Sequence, residues 1–431
     1  MSASKSPELA RTISLFGAVT LAVGIVVGAG MLALPGIVYQ RAGGWALGSW
    51  CLDAALVAPL LVIFASLGRR YPSAGGVAGF VAAAFPGAAI GTSYVLLGTF
   101  ALGIPAIAST GAIYIVQGLG VDPSAGRTAA VAALLLATGV GTTWIGARAA
   151  GALQNVVVAL LIACLAGAIV GSLPSWGDID FTVGAPTPDG LWNGAALAFF
   201  AFTGWEMLAF VSEEFKNPRR DFPRAVLLSF VVVTALYLGS SAAVQALVPF
   251  DSPRLQGAPF LAVVESITGG KVPGSAVAAL VTAIIVVNLN GACWAASRLL
   301  FDIGRRGWAP GGLGLDTLSG AGATPRVAVA WLTAIFGVVL LAHAWDWVTL
   351  ETLLGTAGQN FFLLYVASVA AFLALARTRA GRLFGLVALL ACLIFARAYG
   401  WALLYPVLLF VAPYAVRTVF RIHKPWGRTV S

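Results

Sequence analysis

The stretch Gly24-Ile25-Val26-Val27-Gly28-Ala29-Gly30-Met31-Leu32-Ala33-Leu34-Pro35-Gly36 is apolar enough to enter a membrane. It nevertheless carries too many helix-weakening residues to cross as one regular helix. An interior glycine costs a helix about 1 kcal/mol relative to alanine, and a proline about 3 kcal/mol where a backbone hydrogen bond is lost. In hydrocarbon every freed N–H or C=O is costly unless protein, solute or water satisfies it. The sequence therefore predicts an unwound segment from Val27 to Met31, set in a protein-lined cavity with backbone groups turned toward a solute.

The whole chain has the composition that such a segment needs. Its 431 residues are 60% hydrophobic and 10% charged, and the mean hydropathy is +0.94. A soluble domain carries about 25% charged residues, so this is an integral membrane protein. A formal charge of +9 would point to nucleic acid in a soluble chain; here it is read as a topology signal, and no nucleic-acid partner is expected. Cys51, Cys164, Cys293 and Cys392 all fall in apolar stretches and read as buried thiols, with no disulfide and no metal site. Residues 1–14 lack the compact apolar run of a cleaved secretory signal. Lys5 and Arg11 before the first span instead predict a retained, cytoplasmic N-terminus.

Twelve spans follow, at about 13–40, 45–67, 87–117, 127–147, 152–173, 191–212, 223–247, 272–300, 326–344, 347–375, 382–398 and 400–420. Each has at least the roughly 17 residues that a crossing requires. With the N-terminus inside, all but five of the 25 Lys and Arg residues fall on the inner side, the exceptions being Arg41, Arg127, Arg254, Lys271 and Arg397. That asymmetry supports an even span count with both termini in the cytoplasm. The expected organisation is a cytoplasmic tail at 1–12, a five-span repeat at 13–173, an external loop at 174–190, a second five-span repeat at 191–375, an inner loop and two accessory spans at 376–420, and a cytoplasmic tail at 421–431.

Several polar residues interrupt these spans. Asp53 sits near one end of the second span and reads as a snorkelling or hydrogen-bonded structural group rather than a transport residue. The segment after Arg69 and Arg70 is apolar enough for a short interfacial or re-entrant helix around Val77–Ala84, with plain loop packing as the equal alternative. Pro105 is expected to kink a long third span, and Gln154 and Asn155 to cap or bridge near the inner end of the fifth. The sixth span repeats the opening problem as Phe199-Phe200-Ala201-Phe202-Thr203-Gly204-Trp205-Glu206. Thr203 and Gly204 permit a second interruption, and Glu206 must be protonated, paired or hydrated there. The loop Glu213-Glu214-Phe215-Lys216-Asn217-Pro218-Arg219-Arg220-Asp221 reads with Arg69 and Arg70 as a charged inner gate as well as a topology signal, with a solvated loop used only for topology as the alternative. In the eighth span, Asn288 and Asn290 lie about 200° apart on an ideal helix and should meet different neighbours, as helix-packing or site-supporting groups. Breaks in the first members of both five-span halves predict an inverted repeat around one cavity.

Two passages carry a family resemblance: Leu67-Gly68-Arg69-Arg70-Tyr71-Pro72-Ser73-Ala74-Gly75-Gly76-Val77-Ala78 and Ser212 through Ala225. With the opening stretch, they resemble the amino acid–polyamine–organocation superfamily and, within it, bacterial L-methionine/branched-chain amino-acid exporters. The resemblance implies an all-α polytopic membrane protein with the leucine-transporter fold, a 5+5 inverted repeat plus two C-terminal spans. It places a substrate carboxylate on the amides of Gly28, Ala29 and Gly30. The ammonium would meet carbonyls near Val26, Val27, Phe202 and Thr203, and Met31, Phe199, Phe202 and Trp205 would shape the pocket.

These features predict a secondary transporter of neutral, apolar L-amino acids working by alternating access, and the resemblance implies export across a bacterial inner membrane. Uptake or exchange of other or basic amino acids, or of polyamines, is the alternative, and a channel the distant one. No cofactor is expected. The fifth span has no lysine of the kind that some relatives use in place of sodium, and the eighth lacks paired small hydroxyls; sodium coupling is disfavoured and Glu206 is the candidate proton-sensitive group. Lipid is the expected surround, with monomer and homodimer both open. His343 and His423 have no evident catalytic partners, so no enzyme is expected.

Overall fold

The computed structural model describes residues 14–71, 76–146, 151–205, 208, 215–310, 312–319 and 324–419. Glu206, Glu213 and Glu214 lie outside the described residues, as do Lys5, Arg11 and His423. Fifteen α-helices are present among those described. Among the described residues, nine helical runs are long and apolar enough to cross a membrane, and two of them, Ala29–Arg70 and Arg379–Ala415, join two helices each.

The first span is two helices, α1 (Leu15–Val26) and α2 (Ala29–Ala42). Ser14 starts α1 by accepting the Gly17 N–H at 3.2 Å, a side-chain cap of the ordinary kind. The interruption is shorter than the sequence predicts. Only Val27 and Gly28 leave the helix, while Ala29–Met31 already form the first turn of α2.

After α2, the helix α3 (Ala46–Arg70) returns, followed by the short α4 (Gly76–Ala84), which falls where the apolar run around Val77–Ala84 allows one. Next come α5 (Ala89–Gly118), with Pro105 inside it, α6 (Ala125–Ile145) and α7 (Gly151–Ser172). The side chains of Gln154 and Asn155 are outside the description. The sixth span opens with α8 (Pro188–Ala198), capped by Thr187 with Pro188 at its first position. The chain continues through α9 (Pro218–Leu247), α10 (Pro259–Thr268), α11 (Gly274–Arg305), α12 (Arg326–Ala344), α13 (Leu350–Leu375), α14 (Arg379–Tyr399) and α15 (Leu404–Val419).

The core is built where spans cross. Helix α5 packs on α11, α13, α6 and α15; α3 packs on α9 and α8; α1 lies on α9, and α2 on α8. Outward faces remain apolar: Leu383, Leu386, Val387, Leu390 and Leu393 of α14 are all exposed. In a membrane protein such a face meets lipid. Cys51 and Cys164 also lie on the exposed surface, unlike the buried Cys293 and Cys392. The buried-thiol expectation thus fails for two of the four, because an apolar position in a span faces either the core or lipid.

Charge distinguishes the two ends of the bundle. Arg69 and Arg70 end α3, Arg219 and Arg220 begin α9, and Arg305 and Arg306 close α11 at what is called here the basic end. The other is sealed by connecting segments. The Gly44 N–H donates to the Val183 carbonyl at 2.8 Å. In the same loop Asp180 accepts the Thr182 hydroxyl and N–H, bonds that hold its carboxyl below the usual range. At this end Arg41, in the last turn of α2, meets Glu351, in the first turn of α13, at 2.6 Å.

Candidate functional site

The two interrupted helices meet in the middle of the bundle. Helix α1 ends at Val26, and the first-turn N–H groups of α2 have no partner within that helix. In the sixth span, α8 gives way after Ala198 to a tight turn. Its bonds run to the third preceding residue: Ala201 N–H to Ala198 O at 2.9 Å, Phe202 N–H to Phe199 O at 3.0 Å and Thr203 N–H to Phe200 O at 3.3 Å. Gly204 follows with φ of +119°, a conformation that side chains other than glycine's rarely adopt. A helix C-terminus presents carbonyls without intrahelical partners and a helix N-terminus presents such N–H groups, with opposite partial charges, so the junction offers both acceptors and donors.

Close packing fixes the distance between the breaks. A Cβ on Gly30 would lie 3.0 Å from the Ala201 Cα and 3.2 Å from its Cβ, so only glycine lets the two backbones approach this far. Tyr237 of α9, completely buried, ties them together: its hydroxyl lies 2.6 Å from the Ala201 carbonyl and 3.1 Å from that of Val26. Asn288 of α11 adds a side-chain amide at the first break, where a Cβ on Gly28 would come within 3.3 Å of its Nδ2. Asn290, on another face of α11, accepts from the Thr142 hydroxyl of α6 at 2.9 Å.

A cavity of about 940 Å³ runs from this junction to the basic end. Gly28, Ala29, Gly30, Thr203, Gly204 and Asn288 line its deep part, Phe100, Ile104, Phe200 and Phe361 its apolar wall, and Arg298, Asp302, Arg305, Arg306 and Trp308 its mouth. At the mouth Asp302 pairs with Arg305 at 2.7 Å and Arg306 at 2.5 Å. Arg298 stacks over the Trp294 ring at 4.8 Å and Arg306 over Trp308 at 4.9 Å. Among the described lining residues, Asp302 at the mouth is the only carboxylate, and the deep part has none.

The structure divides the sequence-based site residues. Val26, Gly28, Ala29, Gly30, Thr203 and Asn288 line the cavity. Val27, Met31, Phe199, Phe202 and Trp205 are wholly buried and absent from its wall. Phe199 packs against Phe362, Tyr365 and Phe395; Phe202 against Trp50, Phe230 and Tyr237; and Trp205 donates its indole N–H to Ser229 at 2.8 Å. Phe200, between two core aromatics, is the one that faces the space. The tight turn explains this, since it rotates consecutive side chains by more than an α-helix does.

The charged inner gate is not assembled among the described residues. Arg69, Arg70, Lys216, Arg219 and Arg220 are exposed, Asp221 is buried, and they form no ion pair with one another. Aromatic rings make the contact instead: Phe222 packs on Phe64 and Phe215, and Phe64 on Phe80. At the opposite end, the Arg41–Glu351 pair borders a small pocket of about 200 Å³ with Gln359, Ala196 and Tyr399. Sequence reasoning misses this pair because its members stand 310 positions apart. Among the described residues, no group of three or more His, Cys, Asp or Glu side chains is arranged to hold a metal ion.

Comparison with known proteins agrees with this architecture. Residues 13–422 match the family model described as amino acid permease. The uncharacterized amino acid permease YecA of Bacillus subtilis is 30% identical, over 95% of this chain and 96% of its own. The L-methionine/branched-chain amino acid exporter YjeH of Escherichia coli is 28% identical, over 89% and 90%. The crystal structure of MhsT in complex with L-phenylalanine superposes with a TM-score of 0.64 at 17% identity, covering 91% of this chain and all of that one. That likeness is one of fold.

Proposed function

The chain belongs to the amino acid permease family, and we propose that within it the protein exports neutral, apolar L-amino acids such as methionine, leucine, isoleucine and valine, coupled to protons. Its general nature is a membrane-spanning, secondary-active amino-acid transporter of the amino acid–polyamine–organocation type, which moves its substrate without making or breaking covalent bonds.

The observation that carries the reading is the junction of the two breaks. A zwitterion presents a carboxylate and an ammonium a few ångströms apart. The N–H end of α2 at Ala29 and Gly30 suits the first, and the carbonyl ends of α1 and of the turn after α8 suit the second. Phe100, Ile104, Phe200 and Phe361 give the side chain an apolar wall, and no carboxylate among the described residues stands there to meet a distal cation. The 28% identity to an exporter of methionine and branched-chain amino acids supports the same choice of substrate and direction.

Alternating access follows from the two ends. The basic end is assigned to the cytoplasm because Lys and Arg are retained on that side, so the cavity is open inward. The Arg41–Glu351 pair and the loop across Gly44 close the outside. The packing of α3 on α9, α5 on α11 and α6 on α12 supports two five-span repeats of opposite orientation, with α14 and α15 as accessory spans. Cytoplasmic termini and a bacterial inner membrane complete the assignment.

The test is reconstituted flux with a panel of neutral, basic and acidic amino acids under imposed proton and sodium gradients. Saturable movement of leucine and methionine that responds to the proton gradient is expected. Preference for arginine or putrescine, or a strict need for sodium, would contradict the proposal.

A further inference from the structure

One buried carboxyl group belongs to neither break nor gate. Asp53 of α3 is completely buried, and among the described residues neither of its carboxyl oxygens has a hydrogen-bond partner. It therefore neither snorkels nor bonds as its place in the sequence predicts. The neighbouring Trp50 indole N–H, one helical turn away, is likewise unpartnered. The Trp50 ring packs on Tyr237 at 5.2 Å and on Phe202 at 6.0 Å, which sets this turn of α3 level with the second break. A carboxylate charge held here is expensive without a partner or water.

Two buried tyrosines stand on helices packed against α3: Tyr237 on α9, whose ring packs on Trp50, and Tyr399 on α14. They lead in opposite directions. Tyr237 bonds to the carbonyls of Val26 and Ala201, both residues of the cavity wall. Tyr399 donates to the Ala196 carbonyl at 3.1 Å, and both of these residues border the small pocket beside Arg41 and Glu351. Asp53 lines neither space. Apart from Cys392, a free thiol, the other titratable groups on elements packed against α3 are engaged elsewhere or lie at the ends of the bundle. Arg41 pairs with Glu351, Tyr39 stacks on Phe250, and Tyr365 stacks on Phe64 and Phe199. Asp189 is in the first turn of α8, and Asp221 with its neighbouring arginines begins α9. On α14, Arg379 and Arg382 lie in its first turn, Cys392 is buried in its middle, and Arg397 is exposed.

We infer that Asp53 is the proton-carrying group of this transporter, alternately reached from the outer pocket past Tyr399 and from the inner cavity past Tyr237. The inference rests on the transporter reading above and adds the residue and the means of coupling. The Tyr237 hydroxyl has one proton and two carbonyl acceptors, and those carbonyls belong to the breaks proposed to receive the substrate ammonium. When the ammonium occupies them, the hydroxyl is released to donate to Asp53, which favours the carboxylate and sends its proton to water. When Asp53 takes a proton back from water, it needs no donor, and the hydroxyl returns to the carbonyls. Proton and amino acid thus compete, which is the logic of an antiporter, and the competition is reciprocal in binding free energy.

The test uses the purified full chain, radiolabelled L-leucine and three proteins: wild type, Asp53→Asn and Asp53→Glu. Wild-type affinity is expected to fall on the order of fivefold or more from alkaline to acid pH, in the usual range of coupling between two sites. Asp53→Asn should bind leucine with a flat pH profile and support leucine exchange in proteoliposomes while moving no protons. Asp53→Glu should keep the pH dependence. A wild-type pH profile in Asp53→Asn, or flat binding by the wild type, overturns the assignment of Asp53 and leaves the transporter reading intact. Loss of leucine binding in both variants alike makes the residue structural and overturns the assignment too. Failure of the wild type to bind any member of the amino-acid panel overturns both readings, and is told apart because it appears without a mutation.

Discussion

Tyr237 and Ala201 are joined by a 2.6 Å hydrogen bond between a buried hydroxyl and the carbonyl of a broken helix. The same hydroxyl stands 3.1 Å from the Val26 carbonyl of the other break. One side chain from α9 thus holds two backbone ends whose geometry the proposed site requires. A hydrogen bond of this kind contributes about 0.5–1.5 kcal/mol. In the proposed coupling Tyr237→Phe leaves these carbonyls without their competitor and Asp53 without its donor, so the variant is expected to lose the roughly fivefold or greater pH dependence of L-leucine binding while it remains folded. Equilibrium binding across pH on the purified variant checks it, and a wild-type pH profile would separate Tyr237 from the coupling.

Gly30 supplies the contact that keeps the breaks together. An alanine there must push Ala201 aside by a few tenths of an ångström, and overpacking typically costs about 1–3 kcal/mol. Gly30→Ala is expected to reduce leucine transport by about tenfold or more. Gly167, whose Cβ position meets nothing within 4 Å, is the control, and Gly167→Ala should leave transport unchanged. Equal effects from both substitutions would show that glycine itself, rather than this approach, matters.

The Arg41–Glu351 pair is half exposed, with side-chain exposures of 56% and 31%. Such a pair stabilises by about 0–1 kcal/mol, enough to bias an equilibrium between two open states but not to unfold the protein. Glu351→Gln should raise the reactivity of a cysteine placed at Gly355 toward a thiol reagent added from outside. Cys51 and Cys164 would first be changed to serine, because both are exposed. The exchanged pair Arg41→Glu with Glu351→Arg should restore protection; no restoration would mean that the two residues act separately.

Phe200 is the aromatic that the turn after α8 directs into the cavity, within 6.3 Å of Phe361 by ring centroids. Its truncation enlarges the apolar wall, and apolar pockets discriminate by about 1–3 kcal/mol per methylene. Phe200→Ala should lower the preference for valine and leucine over phenylalanine in competition assays. Phe202→Ala should instead reduce thermal stability, because Phe202 packs among Trp50, Phe230 and Tyr237 away from the cavity.

The position of the first break can be read from Gly24, Gly28, Gly30 and Pro35, because helix-weakening residues in an apolar run leave few alternatives. Its extent cannot. A helix start already exposes N–H groups, so Ala29–Met31 need not unwind to present them. Choosing among Phe199, Phe200 and Phe202 required the register of a turn that sequence periodicity does not encode. Asp53 looked close to a membrane surface when counted from the end of its span. The segment around Phe181–Val183 folds back over Gly44, so the end of α3 is not where solvent begins. The Arg41–Glu351 pair depends on how α2 and α13 are brought side by side, which no local pattern specifies.

The most direct test of the two-break site is an experimental structure of the wild-type protein with L-leucine bound. The ligand carboxylate is predicted within hydrogen-bond distance of the Ala29 and Gly30 N–H groups, its ammonium at the carbonyls beside Val26 and Ala201, and its side chain against Phe200. Leucine seated elsewhere, with the start of α2 and the turn after α8 free of ligand, would contradict the site.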